Sequence, residues 1–192
     1  MLSNFSRKYT DTLIKNKQID ESERAIYEYG CYILLSTILF FFVTIVSGFI
    51  LQTIWSSIIF LISFMLVRRY AGGYHAKTEK RCQINSFILI IFCNVLIKLS
   101  MHFKLQLLLM SISFISVVSI LALAPLDSKE KPLSNIEKKH YQKITYIILV
   151  ILIAISIVTC NFGINLICVP ICCALLLEGF LIILGKFSNE YF

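Results

Sequence analysis

Charged side chains are scarce in this sequence: Asp, Glu, Lys and Arg make up 15% of its 192 residues, while 58% are hydrophobic. A soluble domain carries about 25% charged residues and about 45–50% apolar ones. A chain of this size has too little interior to hide the surplus, so much of its Leu, Ile and Phe must face lipid. That excludes a soluble globule. A disulfide framework is excluded too. The seven cysteines (Cys31, Cys82, Cys93, Cys160, Cys168, Cys172 and Cys173) are odd in number and follow no regular spacing. Six lie in or beside apolar runs, where a free cysteine packs as a small hydrophobe. Only Cys82 stands among polar residues. No polar segment gathers enough ligands for a metal site, and no cofactor is expected. No repeat is long enough to indicate an inverted-repeat transporter. A cleavable signal peptide is not expected either, because the first apolar run begins only near Gly30 and continues past signal length.

What is present is a series of apolar runs. Six approach the roughly 20 residues that a spanning helix needs, at about 29–48, 50–67, 84–101, 104–124, 144–160 and 164–185. The net charge of +7 lies in the segments between them. That placement argues for membrane topology and against nucleic acid. Counted along the chain, Lys and Arg number 5, 0, 5, 2, 5, 0 and 1 in successive polar segments. Such alternation predicts both termini, residues 68–82 and the 126–143 linker on the cytoplasmic side. The expected architecture is an all-α integral membrane fold, one domain over 1–192 with six transmembrane helices. Its lead, 1–28, places Leu2, Phe5, Tyr9 and Leu13 on one helical face, the pattern of an amphipathic helix in the headgroup region. Asp20 and Glu23 have the spacing of a capping box, so the first helix is expected to begin before it enters lipid.

The segment that breaks this regularity is RRYAGGYHAKTEKRC, residues 68–82. Arg68, Arg69, Lys77, Lys80 and Arg81 are offset there only by Glu79. The lead balances five cations with five anions, and the 126–143 linker nets only +2. The strongest cytoplasmic positive field therefore surrounds Cys82. The thiolate is the reactive form of cysteine, and nearby cations or a helix N-terminus favour it. His75 is suited to act as base toward that thiol and then as acid toward a leaving amine. On one continuous helix the two residues would stand roughly 10 Å apart along the axis. A direct pair therefore requires a break. Gly72–Gly73 offers one, with the second span ending near Tyr70 and a new helix starting near Thr78 as N-cap. Backbone N–H groups freed at that turn would suit an oxyanion. The catalytic segment so defined is 68–83. Taken alone, the same residues also suit an ordinary basic loop with a glycine turn.

The string Arg68-x4-Gly73-x-His75-Ala76-x5-Cys82, following a second hydrophobic run, closely resembles the accessory gene regulator protein B (AgrB) family. Chain length, six apolar runs and the linker beginning APLDSKEKPL (124–133) are similar as well. The resemblance implies a membrane cysteine endopeptidase of a quorum-sensing system. It would cleave a small propeptide near its C-terminus and promote thiolactone or lactone closure of the autoinducing peptide. It implies His75 and Cys82 as the catalytic pair, with Arg68 and Gly73 in supporting roles, and it is compatible with a homodimer.

The expected partners are membrane lipid and an amphipathic propeptide with an acidic tail, which Arg68, Arg69, Lys77, Lys80 or Arg81 would bind. Glu178 stands alone in the last apolar run, in LLLEGFLIIL. An ionisable group there is a functional candidate: it can pair with Arg68 or Arg69, orient His75 or be protonated, and a structural ion pair is expected rather than a catalytic role. Two rival functions fit the same architecture: a peptide exporter, and a non-catalytic membrane scaffold.

Overall fold

The computed structural model describes residues 2–74, 78–126 and 134–190. All regular structure among them is helical: α1 (Leu2–Lys15), a single 3-10 turn (Glu21–Glu23), α2 (Arg24–Ile50), α3 (Ile54–Ala71), α4 (Glu79–His102), α5 (Gln106–Leu123), α6 (Asn135–Asn161) and α7 (Asn165–Glu190). Among the described residues, six stretches are long and apolar enough to cross a bilayer: Glu21–Ile50, Ile54–Ala71, Lys80–His102, Gln106–Leu123, Asn135–Asn161 and Asn165–Phe187.

Each expected run overlaps one of these helices, though the second begins four residues before α3 and the fourth overshoots both ends of α5, and several helices extend into flanking polar sequence. Local capping explains the clearest extension. Ser134 accepts a hydrogen bond from the Glu137 amide at 3.3 Å, and Glu137 Oε2 accepts one from the Ser134 amide at 2.9 Å. This capping box starts α6 at Asn135. The second half of the 126–143 linker is therefore helix rather than loop. Near Asp20, whose amide donates to Glu23 Oε2 at 3.5 Å, the 3-10 turn likewise leads into α2 at Arg24, inside the expected lead.

The chain divides into two compact units, Met1–Val43 and Thr44–Phe192. In the first, Ser6 Oγ donates to the Glu28 carbonyl, Arg7 pairs with Glu28 at 3.3 Å, and Arg24 pairs with Asp11 and with Glu21. Ser6 and Thr10 are the buried residues of α1, whereas Phe5 and Tyr9 of its apolar stripe are exposed.

The second unit is built around α7, which packs on α3, α4, α5 and α6. In its most apolar 18-residue stretch 72% of residues are buried, against 22–39% in the corresponding stretches of α3–α6. Apolar side chains of α3 (Val67, Ala71), α5 (Val117, Ile120), α6 (Leu149, Leu152) and α7 (Ile171, Leu175, Ile182) form one core cluster. Without a hydrophobic drive between helices in lipid, close association relies on small residues and packing. Gly179 meets that need: a Cβ there would lie 2.5 Å from Ser116 Cβ on α5. Cys168, Cys172 and Cys173 are buried on the same helix, as helical packing of those thiols predicts.

Candidate active site

Helix α3 ends in Arg68-Arg69-Tyr70-Ala71, and the chain then turns sharply. Gly72 has φ +77° and Gly73 φ +126°, backbone angles that side-chain-bearing residues rarely adopt. The Gly72 amide closes the last helical turn on the Arg68 carbonyl at 3.2 Å. The Ala71 carbonyl, which the helix leaves open, accepts from the Leu126 amide at 2.9 Å. Leu126 follows α5 and the cis Ala124–Pro125 peptide. The beginning of the 126–143 linker is thus tied to the end of α3.

The turn is held from below by α7. The Tyr74 amide donates to the Leu181 carbonyl at 3.0 Å. Gly185, one helical turn further along, permits this approach. A Cβ at Gly185 would stand 2.6 Å from the Tyr74 nitrogen, 2.7 Å from Leu126 Cδ2 and 2.8 Å from the Gly73 carbonyl carbon.

Arg68 clamps the turn from the side. Its Nη1 donates to the Gly72 carbonyl at 2.7 Å and its Nη2 donates to the Tyr74 carbonyl. Nη1 also lies 3.7 Å from Glu178 Oε1. The Glu178 side chain is fully buried, and the Arg68 side chain is 21% exposed. Of the two expected partners for Glu178, the structure selects Arg68. Arg69 points outward, with its guanidinium 5.7 Å from the centre of the Tyr70 ring. Tyr70 in turn meets the Tyr141 ring edge-on at 5.7 Å.

Beyond this turn, Thr78 caps α4, accepting from the Arg81 amide at 3.4 Å. Cys82 is the fourth residue of the helix, half-buried, and its amide donates to the Thr78 carbonyl at 3.0 Å. Lys80 and Arg81 are exposed beside it. His75 and Lys77 lie outside the described residues. The structure therefore brings together Arg68, Gly72, Gly73 and Glu178, and puts Cys82 in the opening of α4. Arg68 faces inward and is removed from the cations available to a ligand. Sequence reasoning missed Leu126, Leu181 and Gly185, all contributors to the cradle. A glycine late in a buried apolar helix is a signal of close backbone approach, and Gly185 carries it. No group of three or more His, Cys, Asp or Glu among the described residues could hold a metal ion.

Comparison with known proteins gives a consistent relationship. The family profile described as Accessory gene regulator B matches residues 6–182. Accessory gene regulator protein B of Staphylococcus aureus (strain MW2) is 31% identical over 146 residues, covering 76% of each chain. AgrB-like protein 2 of Clostridium perfringens (strain 13 / Type A) is 26% identical over 148 residues, covering 74% of this chain and 69% of that one. No solved structure matches significantly.

Proposed function

This chain belongs to the accessory gene regulator B family, and from that premise we propose that it is a membrane cysteine endopeptidase that processes a small quorum-sensing propeptide. The observation that carries the reading is the break in helix between the two reactive residues. Helix α3 stops at Ala71, Tyr74 is fixed on α7, and α4 begins only at Glu79. His75 directly follows the anchored Tyr74, and Cys82 closes the first turn of α4. The two are thus free of the roughly 10 Å separation that a continuous helix would impose.

In the proposed reaction, His75 takes the thiol proton and Cys82 Sγ attacks a peptide carbonyl near the propeptide's C-terminus. The tetrahedral intermediate collapses as the C–N bond breaks. The leaving amine takes the proton from His75, and a thioester joins the peptide to Cys82. An internal thiol of the propeptide then attacks that thioester, closes a thiolactone ring and releases Cys82; an internal hydroxyl would give a lactone. Exchange between two thiols is close to thermoneutral, so ring closure needs no ATP. Formation of the thioester from an amide is uphill, and removal of the tail fragment or product draws it forward. Limited water at the bilayer surface favours closure over hydrolysis.

Arg69, Lys77, Lys80 and Arg81 provide the field that attracts an acidic tail. Helix α1 lies in the headgroup region with Phe5 and Tyr9 toward lipid. The site and both termini face the cytoplasm, following the cation count.

The test is co-expression with the short propeptide encoded nearby, read by mass spectrometry. The unaltered chain cleaves it, while Cys82→Ala and His75→Ala accumulate in the membrane without cleaving. Persistence of cleavage in Cys82→Ala removes the peptidase reading. Loss of peptide from the cell without any cleavage favours the exporter.

A further inference from the structure

We propose that Glu178 is a positioning residue for peptide cleavage, acting through Arg68 on the backbone that delivers His75. This inference rests on the cysteine-peptidase reading above. Its basis is one face of α7. Glu178, Leu181 and Gly185 follow at i, i+3 and i+7, so they lie together along that face. Each meets the α3–α4 connection in a different way. Gly185 gives room, the Leu181 carbonyl takes the Tyr74 amide, and Glu178 faces Arg68.

Arg68 reaches the Gly72 and Tyr74 carbonyls with separate nitrogens of one planar group. That fork holds the Gly72 and Tyr74 carbonyls, and the next residue in the sequence is His75. Two carbonyls leave the guanidinium charge unbalanced, and the Arg68 side chain is mostly buried. Glu178 is the only carboxylate within 4 Å of it among the described residues. Neither Glu178 oxygen has a hydrogen-bond partner among those residues. Glu178 stands as a counter-ion behind the fork at 3.7 Å, leaving both nitrogens free to hold the turn. Lysine in place of Arg68 carries the charge but cannot present a rigid fork to two carbonyls.

The experiment reads Cys82 without needing the natural substrate. The full chain is reconstituted in phosphatidylglycerol–phosphatidylethanolamine nanodiscs and pulsed with iodoacetamide between about pH 5.5 and 9.5. Alkylation is quantified on the Cys82 peptide by mass spectrometry. The unaltered chain should show a neutral-pH limb of reactivity that His75→Ala lacks, with a difference of about tenfold near pH 7. Glu178→Gln and Arg68→Lys should follow the His75→Ala profile, and Glu178→Asp should restore the limb. Arg68→Met/Glu178→Leu, which removes both charges, should unfold at a temperature close to that of the unaltered chain and still follow His75→Ala. The proposal is overturned if Glu178→Gln superimposes on the unaltered profile, or if Glu178→Asp falls with it. Should Glu178→Gln fail to fold, the double variant decides: a folded protein with the unaltered profile overturns the proposal. Coincident profiles for the unaltered chain and His75→Ala would instead remove the Cys–His reading itself.

Discussion

Replacing Gly185 with alanine separates the positioning of the turn from the stability of the fold. The new Cβ would stand 2.6 Å from the Tyr74 nitrogen and 2.8 Å from the Gly73 carbonyl carbon. Ordinary contact begins near about 3.5 Å, so the turn must lift by roughly 1 Å. Both obstructing atoms are backbone, and no rotamer change relieves them. The Tyr74–Leu181 hydrogen bond, now 3.0 Å, is the first interaction stretched beyond useful length. Its loss costs about 1 kcal/mol, and overpacking costs about 1–3 kcal/mol. Against this, alanine favours the α7 helix by about 1 kcal/mol relative to glycine. Net destabilisation should therefore be modest, on the order of 1–3 kcal/mol. Activity should suffer far more, because a misplacement of about 1 Å at a reacting group costs about 100-fold. The assay pairs thermal unfolding in detergent with propeptide cleavage by the reconstituted protein. Cleavage within twofold of the unaltered chain would refute the argument that α7 positions the His75 turn. A collapse of thermal stability would refute the separation of position from stability.

Other substitutions probe the remaining parts of the framework. Thr78→Ala removes the side chain that accepts the Arg81 amide; a loss of about 1 kcal/mol in the first turn of α4 should appear as faster hydrogen exchange at residues 79–82. Ser134→Ala breaks the α6 capping box and should lower stability by about 1 kcal/mol with cleavage unchanged, measured in the same two assays. Gly179→Ala places a Cβ 2.5 Å from Ser116 Cβ and should lower the unfolding temperature by forcing α5 from α7, an overpacking cost of about 1–3 kcal/mol. For topology, Ile136→Cys and Phe162→Cys, at exposed positions at opposite ends of α6, are labelled with a membrane-impermeant maleimide after the partly exposed Cys31, Cys82 and Cys160 are replaced by serine. Phe162→Cys should react in intact cells and Ile136→Cys only after permeabilisation; the reverse order would invert the proposed orientation.

The spans were legible because apolar runs of this length have few alternatives to crossing a bilayer. The end of α3 and the restart of α4 were legible for local reasons. Gly72–Gly73 supplies positive φ, and Thr78 is a side chain that caps. The early start of α2 was legible in its capping residues, whereas the extended start of α6 was harder to see, since polar residues dominate there and hydropathy alone assigns it to a loop. Their capping pairs, Asp20 with Glu23 and Ser134 with Glu137, carry the local signal. The cradle around the turn was illegible for a different reason. Leu126, Leu181 and Gly185 act through backbone amides, carbonyls and the absence of a side chain, and their partners lie more than fifty residues away. No local pattern encodes such contacts. Glu178 lies between these cases: its isolation in LLLEGFLIIL marks it as functional, but only packing selects Arg68 over Arg69.

The central claim is that Cys82 becomes covalently joined to the propeptide during cleavage. The most direct measurement is intact-mass spectrometry of the reconstituted protein, quenched in acid within seconds of mixing with propeptide. A mass increase equal to the N-terminal cleavage fragment less one water is expected, mapped to Cys82, removed by hydroxylamine and absent from Cys82→Ala. Cleavage that proceeds at full rate with no adduct on Cys82, and that persists in Cys82→Ala, would contradict it.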